Sequence, residues 1–399
     1  MKEADVVIVG AGIIGLSIAR ELSGRYPGAR IVILEKEDGV AFHASGRNSG
    51  VLHAGFYYSA DSLKARFTRA GNRMLTDYCL EHGLPINRCG KVVVACDESE
   101  VAGIHELKRR GDRNGVALTL IDPRELSEIE PNARTVAAAL FSPTTSTVDP
   151  VRVCRHIASR FPATVTIRFD RRVVGRAPGA VLTDRERIGC RYLFNAAGLY
   201  ADRVARHFGA GGGVTMIPFK GLYLRYRDDR LLRRHVYPVP NLQNPFLGVH
   251  FTKTVDGHIK IGPTAIPAFW RENYAAAGRF DAKECLEIIG REARLFLFNR
   301  FNFRQLALGE MRKYQRGYFI AQAAKLVRHL DPGRFGRFTR PGIRAQLLDT
   351  VTDELVMDFR VEHAEASTHV LNAVSPAFTS AFSFAGHIVD SAAPRINWR

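Results

Sequence analysis

The chain has 399 residues, a formal charge of +17 and six cysteines. That length predicts two domains, each able to bury a core, and no run of about 18 apolar residues occurs, so no membrane-spanning helix is expected. Cys79, Cys89, Cys96, Cys154, Cys190 and Cys285 form no CxxC pair and no cluster with histidine, which argues against a disulfide framework or a zinc site.

The charge admits three partners: nucleic acid, an anionic membrane surface or an acidic small substrate. Arg outnumbers Lys along the whole chain, as coding bias produces, and no lysine-rich tail or nucleic-acid motif appears. No nucleic acid is therefore expected as a partner. The opening Met1-Lys2-Glu3-Ala4-Asp5 leads directly into a strand pattern, so no targeting segment is predicted and the expectation is a cytoplasmic protein.

Val6-Val7-Ile8-Val9 reads as a strand buried on both faces. It runs into Gly10-Ala11-Gly12-Ile13-Ile14-Gly15, then a helix with Ile14, Ile18, Ala19 and Leu22 on one side, then a strand Ile31–Leu34 that ends on Glu35. Gly10 permits the tight turn, Gly12 lets backbone approach a pyrophosphate, and Gly15 lets helix pack on strand. The N–H groups at the helix start hold the anion, and Glu35 is placed to accept ribose hydroxyls. Strand, glycines, helix, strand and acid in this order predict dinucleotide binding, without separating nicotinamide from flavin. The alternative is a glycine turn in an ordinary βαβ unit.

Ala44–Gly55 follows, rich in small and amide residues suited to backbone pressed on a ligand, with His53 near its end. A helix is predicted from about Asp61 to Leu80, a strand over Lys91–Cys96 and a polar helix over Val101–Arg110. Asp122 caps a further helix with Pro123 at its first position. Thr144–Pro150 reads as a turn-rich junction, Val151–Phe161 as a helix and Arg171–Val174 as a strand edge. Tyr192–Gly198 is an apolar strand stopped by small residues, placed to touch the same dinucleotide. Gly209–Gly213 reads as a linker. Leu222–Tyr226, Leu247–Thr252 and His258–Ile261, the last after an Asp256-Gly257 turn, predict an antiparallel sheet that forms the substrate domain. Phe280–Arg328 reads as helical, and Arg340–Asp349 and Val370–Val389 as small-residue loops and a closing helix. Arg294–His329 alternates aromatics with Arg312, Lys313, Arg316, Lys325 and Arg328. Such a stretch is either a core helix with a solvated face or a surface for an anionic membrane.

The glycine fingerprint, Ser45–His53, Asn195-Ala196-Ala197-Gly198 and Leu371–Ser380 together resemble the FAD-dependent, D-amino-acid-oxidase-like oxidoreductases. More narrowly, Ser45–His53, Tyr237–Asn241, Pro245–Thr252, Gly262-Pro263 and Arg340–Gln346 are similar to the L-2-hydroxyglutarate dehydrogenase/oxidase group, over nearly the whole chain. The tail Ala377–Phe382 is bulkier than the small-residue version of that group.

The resemblance implies an α/β fold: a Rossmann-like FAD-binding domain of glutathione-reductase type, with a second α+β substrate domain on an antiparallel sheet. The implied boundaries are 1–90 with 145–215 and 335–399 for the first domain, and 91–144 with 216–334 for the second. FAD would be held by Gly10, Ala11, Gly12, Ile13, Gly15, Glu35 and Lys36 at its ADP half, and by Ser45, Gly46, Arg47, Asn48, Ser49 and Val51 at pyrophosphate and ribityl. Val173 or Val174 would lie on adenine and Ala197-Gly198 behind the cofactor. Ser375, Pro376, Ala377, Thr379 and Ser380 would aim helix N–H groups at the flavin pyrimidine oxygen.

The implied reaction is oxidation of L-2-hydroxyglutarate to 2-oxoglutarate by hydride transfer from C2 to flavin N5. His53 is the first choice for the base and His250 the second, since a neutral imidazole titrates near the operating pH. Lys220, Tyr237, His250 and Arg344 are candidates to bind the dicarboxylate substrate, Arg344 through a two-pronged guanidinium. No haem, CxxC or iron–sulfur pattern exists, so the electron acceptor is external, either oxygen or a membrane quinone, with peripheral contact at the inner face of the cell membrane. The alternatives are a flavoenzyme oxidising an amino acid or glycerol phosphate, and, more remotely, an RNA-binding flavoprotein.

Overall fold

Continuous apolar strands and alternating strands build two different sheets in this protein. The computed structural model describes residues 4–241, 246–275 and 278–396. Pro245 of the Pro245–Thr252 motif lies outside the described residues. The chain divides into two units, Met1–Arg47 with Pro150–Ile217 and Ala345–Arg399, and Asn48–Asp149 with Pro218–Arg344.

The first unit is built on parallel strands in the spatial order Ser367–Asn372, Arg187–Asn195, Ala4–Val9, Ile31–Leu34 and Val165–Arg168. Val6, Val7 and Ile8 are fully buried, because both sheet faces are covered and no position is left for a polar side chain. Helix Ile13–Arg25 turns Ile14, Ile18, Ala19 and Leu22 inward and packs on the closing helix Ala377–Ala392. The bulk of that closing segment has a place here: the Arg20 guanidinium lies 4.5 Å from the centre of the buried Phe382 ring. The hairpin Val173–Ala177 and Ala180–Thr183 extends the sheet.

The second unit carries a sheet in the order Phe335–Phe338, Leu224–Tyr226, Ile259–Gly262, His250–Lys253, His235–Pro238, Lys91–Val94, Ala139–Ser142, Thr119–Ile121. It is antiparallel except for one pair, His235–Pro238 beside Lys91–Val94, which run parallel. Register is the point that matters for the site. Lys91 lies opposite His235, Val236 opposite Phe251, and Thr252 opposite Lys260. With a two-residue side-chain period, Val92, Val94, Val236, Phe251, Ile259 and Ile261 all point to one face. There they join Phe319, Ala323 and Leu326 in a hydrophobic core. Lys91, His235, Tyr237, His250, Thr252 and Lys260 point to the other.

Three expectations need correction. Residues 48–90 and 145–149 belong to the second unit, not the first, and 216–217 to the first, with Val51–Leu52 and Ile86–Asn87 both pairing with Ser146–Val148. The buried Asn72 side chain reinforces this by donating to the carbonyls of Leu52, His53 and Thr144. The same strand Ser146–Val148 runs through what reads as a turn-rich junction at Thr144–Pro150. Arg340–Asp349 is not a loop: Gly342–Asp349 is an eight-residue strand, and 335–344 joins the second unit as Phe335–Phe338 pairs with Leu224–Tyr226.

The turn signals hold. Asp122 caps Pro123–Ile129 in a full capping box with Glu125, and Asp256-Gly257 closes a turn in which Gly257 has φ +82°. Phe280–Arg328 is helical over Ala282–Leu297, Phe303–Arg312 and Arg316–Ala324.

Candidate active site

In the first unit the glycine turn closes tightly on itself. Gly10 adopts φ +102°, and a Cβ on Gly15 would stand 1.9 Å from the Gly10 carbonyl oxygen. A Cβ on Gly12 would stand 2.9 Å from Ser45 Oγ, so glycine lets the Ser45 side chain close on this turn. The N–H of Ile13, at the helix start, donates to Ser45 Oγ at 2.9 Å. Glu35 braces the turn, its two carboxylate oxygens accepting from the N–H groups of Ala11 (2.8 Å) and Glu37 (3.0 Å). A carboxylate has about four acceptor positions, so ribose hydroxyls can still be received there.

The remaining first-unit candidates surround this turn in ways their residue types explain. Lys36 pairs with Glu37, and its Nζ lies 5.4 Å from the Tyr200 ring centre. Gly46 is obligatory, since a Cβ would reach 2.1 Å from the Ala41 carbonyl oxygen; Arg47 donates to the Phe42 carbonyl at 2.9 Å. Val173 packs with Val7, Val9 and Leu34, whereas Val174 is 48% exposed. Ala197 N–H donates to Asn195 Oδ1, and Gly198 takes φ +54°. Ser375 and Pro376 precede the helix whose first turn carries Ala377, Thr379 and Ser380, all three buried. Asn48, Ser49 and Val51 lie in the second unit. There Asn48 Oδ1 accepts from Gly50 N–H, the Ser49 side chain bonds the Tyr223 phenol, and Val51 is a buried strand residue.

The second unit gathers a cluster of histidine, lysine and tyrosine on the polar face of its sheet. His250 is 2% exposed, and its ring stacks on Tyr237 at 3.7 Å and 18°. His250 Nδ1 lies 2.8 Å from the Gly248 carbonyl oxygen. A carbonyl only accepts, so Nδ1 carries the proton and Nε2 keeps its lone pair. His235 shows the opposite tautomer: Lys253 N–H donates to its Nδ1 at 3.0 Å, so Nε2 carries the proton and faces Cys89 Sγ at 3.3 Å. Burial, then the charge of Lys91, pushes both imidazoles down to about 3. The same causes hold His53 well below the ordinary histidine range, so all three rings are neutral near pH 7.

Of the candidate cations, Lys260 shares the sheet of the histidines, whereas Lys220 and Arg344 stand on Val214–Gly221 and Gly342–Asp349 of a different sheet. Lys260 Nζ lies 4.8 Å from the Tyr223 ring centre, and burial lowers it to about 8. Arg344 is half-exposed by residue area, yet its guanidinium sits in apolar surroundings 5.0 Å from the Phe246 ring centre and is lowered to about 10 by burial. Lys220 Nζ donates to Asn273 Oδ1 at 3.0 Å. Tyr237 is only 1% exposed, so its ring faces protein on all sides. Lys91 went unnoticed in the sequence, where it heads the strand Lys-Val-Val-Val. Its signal was period-two register with His235 and Tyr237, which requires knowing that these distant strands pair.

A family profile described as FAD dependent oxidoreductase (DAO) matches residues 5–390. The chain belongs to this family, and its cofactor is FAD. The glycine turn at a helix start, with Ser45 Oγ beside Gly12, and the Glu35 carboxylate suit the phosphates and ribose of that group. The chain is 36% identical to an L-2-hydroxyglutarate dehydrogenase, mitochondrial, from Nematostella vectensis, over 98% of this chain and 91% of that protein. It is also 36% identical to L-2-hydroxyglutarate dehydrogenase of Escherichia coli (strain K12), over 96% and 92% of the two chains. For the mitochondrial protein of Homo sapiens the identity is 34%, over 98% and 89%. Among solved structures, L-alpha-glycerophosphate oxidase from Mycoplasma pneumoniae with FAD bound shares the fold at TM-score 0.76 and 23% identity, covering 100% and 96%. Glycine oxidase from Geobacillus kaustophilus shares it at TM-score 0.71 and 18% identity, covering 100% and 96%.

Two outcomes follow from this geometry. Gly15→Ala should yield protein with sharply reduced bound flavin, read from the visible absorbance per chain, because the added carbon displaces the Gly10 carbonyl. The buried histidines should also make stability acid-sensitive. Their folded pKa of about 3 lies below the ordinary 6.5, so the unfolded chain binds the extra protons. Their contribution is complete above about pH 6.5 and is lost toward pH 3, at up to roughly 1.4 kcal/mol per pH unit for each ring. Thermal unfolding should show a falling midpoint between pH 7 and 4.5, with a shallower fall in His235→Gln.

Proposed function

We propose that this flavoenzyme oxidises L-2-hydroxyglutarate to 2-oxoglutarate. The observation that carries the reading is the second unit's cluster of neutral histidines with the buried cations Lys91 and Lys260 on one sheet face. The names of the relatives point to the same substrate. A 2-hydroxy diacid offers two carboxylates and a hydroxyl, which call for cations and a proton acceptor.

Arg344 is assigned to one carboxylate, since its planar fork can donate two parallel bonds where little water competes. Lys220 is assigned to anion binding beside it. When bound, FAD supplies the two-electron acceptor for the hydride leaving C2. The hydroxyl proton goes to a histidine. His250 presents a bare Nε2, fixed in tautomer by the Gly248 carbonyl and in plane by the Tyr237 ring. His53, kept neutral by burial, is the other acceptor. One of the two takes the proton, and the other hydrogen-bonds the substrate. In the first unit, Gly10, Ala11, Gly12, Ile13, Gly15, Glu35, Lys36, Ser45, Gly46 and Arg47 are assigned to the ADP half and pyrophosphate. Ala197, Gly198 and the helix start at Ala377–Ser380 are assigned to the flavin half, where N–H groups suit the charge of the reduced ring.

The electrons leave to an external acceptor, for which we propose a membrane quinone, with oxygen as the competing route. No helix among the described residues is long and apolar enough to cross a membrane. Helices Ala282–Leu297 and Phe303–Arg312, with the capping residue Phe298 after the first, nonetheless expose Leu286 (75%), Leu297 (67%), Phe298 (68%) and Leu308 (54%). Arg300, Arg304 and Arg312 lie close by in sequence, as in a segment that rests on anionic headgroups.

Anaerobic mixing should bleach the flavin with L-2-hydroxyglutarate and not with its D-enantiomer, L-lactate, glycerol 3-phosphate or an amino acid. Bleaching by one of the others alone overturns the substrate. Replacing the base, His53→Ala or His250→Ala, should lower turnover about 10²–10⁴-fold with FAD retained. Arg344→Lys should raise KM by roughly 10- to 100-fold, the value of a lost charged hydrogen bond. Sedimentation with anionic vesicles should show binding at low salt that weakens at high salt and in Phe298→Asp; no binding at low salt removes the membrane contact.

A further inference from the structure

Lys91 opens the strand Lys91–Val94 and is completely buried. Its Nζ lies 4.5 Å from the centre of the Phe56 ring, 4.4 Å from that of Tyr57 and 4.7 Å from that of Tyr237. It has no hydrogen-bond partner among the described residues. An ammonium stripped of water and offered only ring faces is an expensive way to fill space. Methionine would occupy the same volume among Phe56, Tyr57 and Tyr237 without burying charge, so packing does not account for the residue.

Its neighbours point to the reaction. Tyr237 bridges Lys91 to His250, touching the ammonium on one side and stacking on the imidazole. His235, directly opposite Lys91 in register, and His53 also feel its charge. The groups around it are His235 and Tyr237 from the strand His235–Pro238, and His250 from His250–Lys253. His53, Phe56 and Tyr57 come from the segment after Val51–Leu52, and Ser142 from the strand Ala139–Ser142. None of these is a carboxylate, so nothing in that set neutralises the ammonium.

We propose that Lys91 is a positioning residue for the oxidation: acting through Tyr237, it holds the stacked His250 ring with Nε2 available, and it supplies the positive field that draws the substrate dianion into the cluster. The inference rests on the dicarboxylate reading above. Burial pulls the Lys91 ammonium down to about 7. In the free enzyme it therefore loses its charge as pH rises through neutrality, and with it the attraction for an anion. A bound dianion favours the charged form and moves the loss to higher pH. Because kcat/KM reports the free enzyme and kcat the complex, the two profiles should separate.

The test uses the holoenzyme. Wild type should show kcat/KM for L-2-hydroxyglutarate falling on the alkaline side of about pH 7, with kcat holding to higher pH. Binding of glutarate, a dianion that cannot react, followed by perturbation of the flavin spectrum, should weaken over the same range. Lys91→Met should keep its flavin, raise KM at pH 6.5 by tenfold or more and erase the alkaline limb of kcat/KM. Lys91→Arg, charged at every pH used, should restore KM yet still lack the limb. Glutarate binding that is flat from pH 6 to 9 in wild type overturns the proposal without any variant having to fold. So does a Lys91→Met enzyme with unchanged KM and profile. If wild type neither oxidises L-2-hydroxyglutarate nor binds glutarate, the substrate reading fails instead.

Discussion

A pleated strand sends successive side chains to opposite faces, and the second unit uses both faces as interior. One face is hydrocarbon, from Val92 and Val94 through Val236, Phe251 and Ile261. The other is charged, titratable and aromatic, from Lys91 through Tyr237 and His250 to Lys260. The apolar side supplies the burial that holds strands at fixed register. That register in turn brings imidazole, phenol and ammonium into contact without any loop having to aim them. Rigidity at a chemical site thus comes from the hydrophobic half of the same strands.

Two buried histidines on this face illustrate how backbone chooses chemistry. His235 and His250 are lowered by the same causes to the same range, yet one meets a backbone donor and the other a backbone acceptor. The first is left with a proton facing Cys89, and the second with an unprotonated nitrogen. Protonating His235 would set two N–H groups against each other, so that ring serves the fold. In the first unit the backbone sets the glycine turn, where Gly15 packs against the Gly10 carbonyl and Gly12 against Ser45.

The first unit was largely readable from the chain. A fully buried parallel strand, three glycines and a terminal acid are local signals, all within residues 5–35, and the apolar run Tyr192–Asn195 marks the end of a further strand, whereas Val165–Arg168 and Ser367–Asn372 were not read as strands. What escaped was non-local. The boundary near residue 48 depends on Val51–Leu52 pairing with a strand about a hundred residues later, and Gly342–Asp349 looked like a loop because its small residues hide its pairing. For the candidate site, resemblance supplied the candidates His53, His250 and Arg344, whose roles are proposed above. Glu35 proved more occupied than its position after Ile31–Leu34 suggested, since two of its acceptor positions serve the turn itself. Lys91 was invisible, because a lysine at the head of a valine run looks like a solvated strand end.

The one parallel pairing among the described residues of the second unit's eight-stranded sheet ties its assembly to chain order. His235–Pro238 lies beside Lys91–Val94, but the chain between them includes Pro150–Ile217, which belongs to the other unit. As the polypeptide emerges from the ribosome, the strand Lys91–Val94 can pair at once with Ala139–Ser142, leaving its other border bare until residue 235 arrives. For that interval the ammonium of Lys91 stays hydrated at an unfinished sheet border, where its charge discourages a foreign strand from joining. Dehydration of the lysine, and with it completion of the aromatic cage, marks the moment at which the distant partner strand has docked.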